Sequence, residues 1–571
     1  ITGVTMASRE GFVCGGEEKK ALAKTSAQPS SCSRSSIMSD SFIIAIHFGR
    51  SYSGYAFSLT AREAEIDPMV KYWGAEVGQK TVKTPTCILF DEHEEFMSFG
   101  YEAQRYYHRM RGEEARHKFF FQSFKMSLYG RVTSGKPMKA LKVFTEALRF
   151  MKDDALKTIN SSSGKVFNQS DFCWVLTVPA IWDPSAKQFM RRAATQAGIV
   201  TEGKEDWLVI ALEPEAALMW CRKLPADGFI AENQGEVSLD QSPGTQYIVV
   251  NCGGGTIDVT VHEVLDGGAL RELHKGSGNN MGGQSVDRKF KEFLKEIFGD
   301  ALWEKYEREH PGELQKMMYE FTFSKRHDDE AEISCPYNLT ELAKESGRDM
   351  ERFFEGVRGA SWDKGSIQIS KQRMRSFFSD SLRGITNCLK EILRKDFHID
   401  YILLVGGYSE SETLRRHVIN QFKGQCKVLC PVRAQEAILL GAVIFGTNPA
   451  LVASRKSAFT YGVKTTRNFD PSKHREDKKF TTDTGDLCGD VFKMLVEIDG
   501  DVGWTETREF SFTPNNPTQT TMSFSFFRTE RNNPQYVDDW GVEEIGSVKV
   551  SMPNTTRGRD RRVKLEIKFD L

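Results

Sequence analysis

A strand–glycine turn–strand unit occurs twice in this chain, and this repeat restricts the fold more than any other feature. The first copy runs from an apolar segment at 42–48 through Gly49 into a second apolar segment at 55–59. The second copy starts at 247–250 and returns through 257–264. When the copies are aligned, His47 corresponds to Asn251, 204 residues later. Two such units predict two similar lobes whose turns face each other across a ligand, and two unrelated hairpins are the alternative.

The rest of the pattern predicts an α/β fold. Asp183 and Pro184 have the residue types of a helix N-cap and first helical position. After about residue 450 the apolar residues alternate with period two, which is typical of strands, and no long helical pattern follows. Strands are expected at 172–178, 208–212 and 401–405, and helices at 101–126, 138–159, 284–298, 300–325, 370–395, from 411 onward and at 434–446. We therefore predict a two-lobed α/β domain followed by a smaller all-β C-terminal domain.

Five segments follow from this pattern. Residues 1–37 are rich in Ser, Lys, Ala and Gly and lack the apolar core of a signal peptide, so we expect a disordered leader. The other expected segments are lobe I at 38–240, lobe II at 241–430, a helix returning to lobe I at 431–450, and a β-rich domain without a helical lid at 451–571.

Charge and cysteine usage exclude several classes of function. The formal net charge is −1, which argues against a bulk electrostatic role on nucleic acid or an anionic membrane. No apolar run approaches the ~20 residues of a membrane-spanning helix. The 11 cysteines are scattered, and the close pair Cys426 and Cys430 has no second pair to complete a zinc site. We therefore expect a reducing, cytoplasmic setting.

A run of Gly253, Gly254, Gly255 and Thr256 follows the strand expected at 247–250. Glycines let successive backbone N–H groups converge on an anion, and the Thr256 hydroxyl adds a donor. The run is typical of a phosphate site, although glycine turns without ligands are also common. It differs from the mononucleotide P-loop, because the chain has no G-x-x-x-x-G-K-[ST] segment.

Three further glycine segments are candidates for contact with the same ligand. They are Gly49, Arg50, Ser51 and Tyr52 in the first copy of the repeat, Gly282 and Gly283 in a loop, and Gly406, Gly407 and Tyr408 between a strand and a helix. Glycines between a strand and a helix lie where α/β folds bind nucleotides, and close packing of helix on strand is the alternative. For Arg50 the alternative is an exposed arginine on a surface turn.

Three single polar residues could act on such a ligand. Glu213 lies where a strand ends and a helix begins, and could hold a water molecule or a metal-bound water. Lys125 could reach a terminal phosphate, and Asp258 lies on the same strand face as Thr256, where it could hold a metal. The alternative for Glu213 is a carboxylate stabilised at a helix N-terminus. The alternatives for Lys125 and Asp258 are a solvated lysine and a hydrogen bond within the hairpin.

These motifs, in this order, resemble those of the 70-kilodalton heat-shock chaperones, within the actin-like, ribonuclease-H-like ATPase superfamily. The resemblance covers about residues 42–450 and is most specific at 175–199, 211–217, 249–261 and 402–409. ALEPEAA at 211–217 and FKMSL at 124–128 look like the divergent branch called heat shock 70 kDa protein 12. The β-rich segment stands where ordinary members carry a peptide-binding β-sandwich.

The resemblance implies binding of ATP or ADP, with a role for each candidate residue. It puts residues 49–52 and 253–256 at two phosphate loops and residues 406–408 at the adenosine-binding turn. The implied catalytic residues are Lys125, Glu213 and Thr256, and the implied metal-site acid is Asp258. Pro179 matches a proline that relays between the lobes and the partner domain.

Three positions depart from the family pattern. His47 and Asn251 stand where the family has aspartates that hold the waters around Mg²⁺, and Arg50 replaces a loop threonine. One charge–charge interaction at ~4 Å is worth roughly 4 kcal/mol at an effective dielectric of about 20, so the loss of two carboxylates weakens Mg²⁺-dependent hydrolysis more than nucleotide binding. We hypothesise that Arg50, with His47, replaces part of the metal's charge. The alternative is that Asp258 or Glu213 recruits Mg²⁺ adequately.

Three functions follow from the resemblance. The first is an ATP-dependent, chaperone-like protein of the stress response with weakened hydrolysis, in which residues 451–571 bind a client or partner protein. The second is a nucleotide-gated sensor or scaffold with negligible turnover, which keeps the fold for its two-state closure. The third is a sugar kinase of the same superfamily, which needs an aspartate base that no motif here indicates.

Overall fold

The glycine turns of the repeat lie in the larger of two structural units. The structure is a computed structural model. It describes residues 3–7, 42–59, 67–110, 114, 117–128, 131–134, 136–201, 203–230, 238–482, 485–504 and 506–568. The larger unit comprises Met38–Gly268 and Gly276–Asn448, and the smaller unit comprises Ile1–Ile37, Ala269–Lys275 and Pro449–Leu571.

The first sheet of the larger unit is built on the first copy of the repeat. Phe42–Phe48 pairs antiparallel with Tyr52–Ser58 and parallel with Phe172–Val178. Phe172–Val178 pairs in turn with the parallel strand Leu208–Leu212. These strands are apolar and almost entirely buried, as expected for parallel strands covered on both faces. Two short strands also pair with Tyr52–Ser58, namely Met69–Val70 and Thr84–Pro85.

The second sheet repeats this arrangement. Gln246–Cys252 pairs antiparallel with Ile257–Val264 and parallel with Tyr401–Val405, which pairs with the parallel strand Lys427–Leu429. The order and sense of these four strands match those of the first sheet. The internal repeat predicted from the two hairpins is therefore present in the strand topology.

Each hairpin turns through glycine. We name residues 49–52 the first glycine turn and residues 253–256 the second glycine turn. Each turn follows the end of a strand that also pairs with a parallel strand. Each turn therefore lies at the edge of its sheet where the parallel strands end. This edge is where α/β sheets bind ligands.

The helices of the larger unit mostly follow the predicted positions. Asp183 caps its helix by accepting a hydrogen bond from Ala186 N–H at 2.7 Å, as predicted. The helix expected over 300–325 breaks at His310, because Pro311 has no N–H and disfavours helix before it. The helices are Gly100–Arg109, Ala140–Ser163, Pro184–Gln196, Glu213–Cys221, Gly283–Phe298, Asp300–Glu309, Pro311–Ser324, Tyr337–Glu345, Met350–Phe354, Lys371–Phe377, Ser379–Leu393, Glu412–Phe422 and Ala437–Thr447.

The prediction of one helix over 101–126 is wrong in its second half. The helix ends at Arg109, and Phe119–Gln122 is a strand that pairs with Cys87–Phe90. Three consecutive phenylalanines fit a pleated, buried surface better than a helix face, so tertiary pairing decides the structure here. Other short strands are Phe96–Phe99, Arg131–Ser134, Lys136–Lys139, Ala331–Ser334, Ala360–Asp363 and Ser366–Ile369.

The segment predicted to return to the first lobe packs on the first sheet. Gly446, near the end of the helix Ala437–Thr447, faces Ile43 and Val175 side chains of that sheet. The helix is apolar on all sides and buried from Ala437 to Gly446. A helix that is hydrophobic all round belongs in the interior of a fold.

The smaller unit is built from strands, and no α-helix occurs among its described residues. A five-stranded antiparallel sheet has the order Lys479–Thr482, Gly485–Val496, Thr460–Asn468, Thr521–Thr529 and Glu543–Ser551. The remaining strands are Val452–Lys456, Asp501–Gly503, Thr507–Phe512, Val563–Lys568 and the start of Leu270–Asn279.

The expectation of disorder over residues 1–37 does not hold at Gly3–Ala7. This segment forms a strand antiparallel to Val563–Lys568, whose edge offers unpaired backbone groups. Composition cannot reveal such pairing, because it depends on a strand more than 500 residues away. The rest of the expected leader lies outside the described residues. Within the described residues, every helix is too short or too polar to cross a membrane.

Candidate functional site

The first and second glycine turns lie in direct contact. A Cβ atom at Gly254 would overlap Ser51 Oγ, and one at Gly255 would overlap Arg50 Cδ. Only glycine can hold the backbone this close to a neighbouring segment. The two turns that the repeat predicted to face each other lie together, in direct contact rather than on either side of a ligand. Their binding of a ligand stays a prediction.

Gly282 and Gly283 pack against the second glycine turn. Gly282 N–H donates to Gly255 O at 3.3 Å, and Gly283 N–H donates to Gly253 O at 3.0 Å. A Cβ atom at Gly282 would lie 2.6 Å from Gly253 O, so a side chain does not fit there. Gly283 begins the 16-residue helix Gly283–Phe298, whose positive dipole end therefore points at the turn.

Gln284 links the two glycine turns and was not among the predicted residues. Its backbone N–H donates to Gly254 O at 2.7 Å. Its side-chain Nε2 donates to Ser51 Oγ at 2.8 Å and to Ser123 Oγ at 2.9 Å. A single glutamine at the start of a helix carries no motif, so only the tertiary structure reveals this link.

Lys125 and Glu213 form a buried ion pair next to the turns. Their side chains are 3% and 6% exposed, and Lys125 Nζ donates to Glu213 Oε1 at 2.7 Å. Asn251 Nδ2 donates to Glu213 Oε2 at 2.7 Å, so both carboxylate oxygens are engaged. Lys125 Nζ also lies 5.0 Å from the centre of the Trp182 ring. Glu213 reaches this position because it begins the helix Glu213–Cys221 directly after a strand.

His47 is a neutral side chain in this environment. Its Nδ1 lies 2.9 Å from Thr177 Oγ1, on the neighbouring parallel strand. Burial, followed by the charges of Lys83 and Lys125, lowers the pKa of His47 well below its usual range. The imidazole is therefore uncharged at neutral pH. A neutral ring does not favour the hypothesis that His47 supplies positive charge to phosphates, so of the pair His47 and Arg50 the arginine is the better candidate.

Asp258 and Thr256 interact with each other across the start of their strand. Thr256 Oγ1 donates to Asp258 Oδ2 at 3.1 Å. Burial, followed by the charge of Glu213, raises the pKa of Asp258 to about 7. Directly opposite Asp258 in the hairpin is Asn251, a neutral amide. Asp258 is consequently only partly charged at neutral pH.

The donor set around these residues fits Mg²⁺ poorly. No group of three or more His, Cys, Asp or Glu side chains arranged to hold a metal occurs in the part of the chain that the structure describes. Asn251 turns its amide N–H, rather than an oxygen, toward Glu213. Since Mg²⁺ favours charged oxygen ligands, the partly protonated Asp258 is a weak substitute for the two missing acids.

Gly406 joins the fourth glycine segment to the second sheet. It has a φ of +86°, and a Cβ atom there would lie 2.6 Å from Asn251 Oδ1 and from Cys252 O. Gly407 begins the short 3-10 turn Gly407–Glu410. The segment predicted to bind adenosine therefore touches the strand that leads into the second glycine turn.

Tyr408 is a packing residue in this structure. Its ring is buried and stacks on Phe378 with centroids 6.2 Å apart. Its hydroxyl donates to Ser381 Oγ at 3.0 Å. A Cβ atom at Gly283 would lie 3.3 Å from the Tyr408 ring, so this ring also holds the start of that helix in place.

Tyr52 and Pro179 lie beside the turns. Tyr52 is the first residue of its strand and pairs with Pro85. Pro179 directly follows the strand Phe172–Val178, and its carbonyl accepts a hydrogen bond from Trp182 N–H at 3.3 Å. A functional role for either residue stays a prediction.

Three buried polar atoms at or beside the turns lack hydrogen-bond partners within the described ranges. They are Arg50 Nε, Asn251 Oδ1 and Asp258 Oδ1. A buried polar group without a partner costs about 1–3 kcal/mol, so such atoms point to a ligand or ordered water. The arginine nitrogen is a cationic donor, which suits an anion.

Lys83 is the second residue that sequence reasoning missed. It is 7% exposed, and burial lowers its pKa to about 8. Its segment, TVKTPT, resembles a surface turn, and its burial depends on the pairing of Thr84–Pro85 with Tyr52–Ser58. The charges that oppose this burial effect are those of Glu213, Glu410 and Glu436.

The chain is similar along most of its length to two curated human proteins. It is 32% identical over 575 residues to Heat shock 70 kDa protein 12A of Homo sapiens, covering 90% of this chain and 85% of that protein. It is 32% identical over 584 residues to Heat shock 70 kDa protein 12B of the same organism, covering 91% and 85%. Chaperone protein dnaK of Guillardia theta is 24% identical over 319 residues, or 54% of this chain. No family model matches the chain.

Proposed function

This chain belongs to the heat shock 70 kDa protein 12 branch of the 70-kilodalton heat-shock protein family, and on that basis we propose that it binds ATP or ADP and hydrolyses ATP slowly. The phosphates would lie at the first and second glycine turns, with residues 282–283 and 406–408 completing the cleft. The two lobes at 38–240 and 241–430, with the returning helix at 431–450, would close on the nucleotide.

The contact between the two glycine turns is the observation that carries this proposal. Closely packed glycines bring backbone N–H groups to a ligand, and they meet here beside the unpartnered Arg50 Nε. Lys125 supplies a second buried cation near the same turns. Backbone donors together with fixed positive charge favour a polyphosphate over a neutral ligand.

The geometry around Glu213 supports slow turnover. Hydrolysis needs a group that orients the attacking water and charge that stabilises the transferred phosphoryl group. Lys125 can supply the charge, whereas Glu213 must release either Lys125 or Asn251 before it can hold a water. Mg²⁺ would supply further charge, but the donor set fits it poorly, so we derive no step through it.

A nucleotide-gated sensor or scaffold with negligible turnover is the second candidate. The hydrogen bond from Asn251 to Glu213 favours it, because this bond joins the second sheet to the helix Glu213–Cys221 through the group that would otherwise orient water. In this case nucleotide would stabilise the closed arrangement of the lobes without being consumed. Steady-state phosphate release separates the two candidates, since the sensor releases phosphate no faster than a buffer blank.

We propose that residues 451–571 bind a client or partner protein with fast exchange. The strand Glu543–Ser551 lies at the edge of its sheet with most residues exposed, and Trp540 beside it is 89% exposed. An exposed strand edge can pair with an extended chain. A peptide array probed with the full chain tests this, and slow, tight capture would contradict the fast exchange.

The cysteines support a reducing, cytoplasmic location. The nine cysteines within the described ranges are free thiols, and seven of these are buried. Free thiols are typical of proteins of the reducing cytosol. Fractionation of cells that express the chain tests this proposal, together with any change under stress.

Calorimetric titration of ATP with and without EDTA tests nucleotide binding. We expect ATP to bind in both conditions with affinities within about tenfold of each other, because fixed cations replace part of the metal's charge. A collapse of affinity on chelation would contradict the replacement of metal charge. Absence of binding in both conditions would overturn the proposed function.

A further inference from the structure

Lys83 lies beside the first hairpin because of strand register. Thr84 pairs with Ser53, so Lys83 lies opposite Gly54, and Gly54 pairs in turn with His47. A Cβ atom at Gly54 would lie 3.1 Å from Lys83 Cγ. The missing side chain at Gly54 therefore lets the lysine extend across the hairpin toward His47.

The residues around Lys83 are those of the candidate site. A Cβ atom at Gly49, the first residue of the first glycine turn, would lie 2.9 Å from His47 Nε2. Burial lowers the pKa of His47 most, and the charge of Lys83 lowers it further. The charged groups that act on Lys83 come from four different segments, namely Glu213, Glu410, Glu436 and Lys125.

The ammonium group of Lys83 has no direct partner. It makes no hydrogen bond and no ion pair with any residue that the structure describes. Removal of a lysine from water costs several kcal/mol unless an anion neutralises it. Burial also lowers the pKa of Lys83 to about 8. The ammonium group is therefore still mostly charged at neutral pH.

We propose that Lys83 binds the terminal phosphates of the nucleotide and takes over charge that a divalent cation supplies elsewhere. This proposal rests on the proposed function and adds a phosphate-binding residue that lies outside the glycine turns. Lys125 cannot fill this role alone, because it is already paired with Glu213. Lys83 is 7% exposed, and its ammonium group has no hydrogen-bond or ion-pair partner within the described residues.

Calorimetry in EDTA with three probes tests the proposal. The probes are ATP, inorganic tripolyphosphate and adenosine, and the variants are Lys83→Met, Lys83→Arg and the exposed-site control Lys165→Met. We expect Lys83→Met to weaken the binding of ATP and of tripolyphosphate about 10- to 100-fold, the range of a charged hydrogen bond. The affinity for adenosine should not change. Lys83→Arg and Lys165→Met should bind all three probes within about threefold of the unmodified chain.

Thermal unfolding of the same variants separates phosphate binding from a structural role. Without ligand, Lys83→Met should unfold at the same or a higher temperature than the unmodified chain, because it removes an unpaired buried charge. A clearly lower melting temperature would mean that Lys83 is a structural counter-ion for Glu410 or Glu436, and would overturn the proposal. Unchanged tripolyphosphate affinity in Lys83→Met would overturn it as well. If the unmodified chain binds no ATP, the proposed function fails, and this inference with it.

Discussion

The variant Asn251→Asp would place a new carboxyl group within hydrogen-bonding distance of the Glu213 carboxylate. Asn251 Nδ2 donates to Glu213 Oε2 at 2.7 Å, and Asn251 is 1% exposed. Two carboxylates this close and this buried cannot both be ionised, so one of them must take up a proton. The protonated acid can then donate to the other, and the hydrogen bond itself survives.

The loss of stability follows from the proton. The ordinary pKa of an aspartate, near 3.9, lies roughly three pH units below neutral pH. Holding the new group protonated at neutral pH therefore costs about 1.36 kcal/mol of folding free energy for each of these units. We therefore expect Asn251→Asp to lower the free energy of unfolding by about 2–4 kcal/mol at neutral pH without metal. The pKa of the new group in the folded state is raised above its unfolded value. The loss is therefore absent below about pH 4 and grows as the pH rises.

Urea unfolding in EDTA, followed by circular dichroism at acidic and neutral pH, measures this difference. Asn420→Asp is the matched control, because it makes the same chemical change at an exposed position. Mg²⁺ should stabilise Asn251→Asp by neutralising the paired acids, and should leave the unmodified chain almost unaffected. Equal stability of the variant and the unmodified chain in EDTA at neutral pH would refute the contact between Asn251 and Glu213.

The double variant His47→Asp, Asn251→Asp extends the same reasoning to turnover. It introduces the two acids that the family resemblance places around Mg²⁺, so Mg²⁺-dependent phosphate release should rise above that of the unmodified chain. If release does not rise, the explanation of slow turnover by a degraded metal site loses its main support.

Three further predictions concern single residues of the cleft. Asp258→Asn should stabilise the chain above about pH 7 by up to roughly 4 kcal/mol, because the pKa of Asp258 is raised from 3.8 to about 7. This gain in stability should vanish near pH 4. Urea unfolding at a series of pH values measures the gain, and a difference that does not change with pH would contradict the prediction. ATP affinity in EDTA should fall as the pH rises through about 8, the pKa of Lys83. Lys83→Arg should remove this pH dependence, because arginine keeps its charge. An equal fall in affinity in both chains would assign the pH dependence to another group. Gly254→Ala should abolish ATP binding by calorimetry because its Cβ overlaps Ser51 Oγ, whereas Gly424→Ala, which has open space around it, should bind normally.

The glycine turns could be predicted from sequence because their signal is local. Gly253, Gly254 and Gly255 follow an apolar strand, and the same pattern at Gly49 gave the repeat. The two sheets share the order of their first four strands, in agreement with the two similar lobes expected from that repeat. By contrast, the roles expected of Lys125 and Glu213 came from family resemblance, and their contact was not predicted, since no spacing rule connects residues 88 positions apart.

The residues that were missed depend on pairing between distant short segments. Lys83 is buried because the two-residue strand Thr84–Pro85 pairs with Tyr52–Ser58. A strand this short has no periodicity, so its burial cannot be inferred from pattern. The charge state of His47 was missed for a related reason. Its lowered pKa results from burial next to two lysines that only the fold brings together.

The charges in the cleft change together rather than one at a time. The family's two acids are replaced by His47, which is neutral here, and by the amide of Asn251. The cations Arg50 and Lys83 have no direct anionic partner among the described residues, and Asp258 is only partly ionised. We propose that a site with this balance attracts a polyphosphate without needing a metal to offset its own acids. The same balance removes charged ligands for Mg²⁺, so the proposed metal-independent binding and the proposed weak hydrolysis would both follow from one set of substitutions.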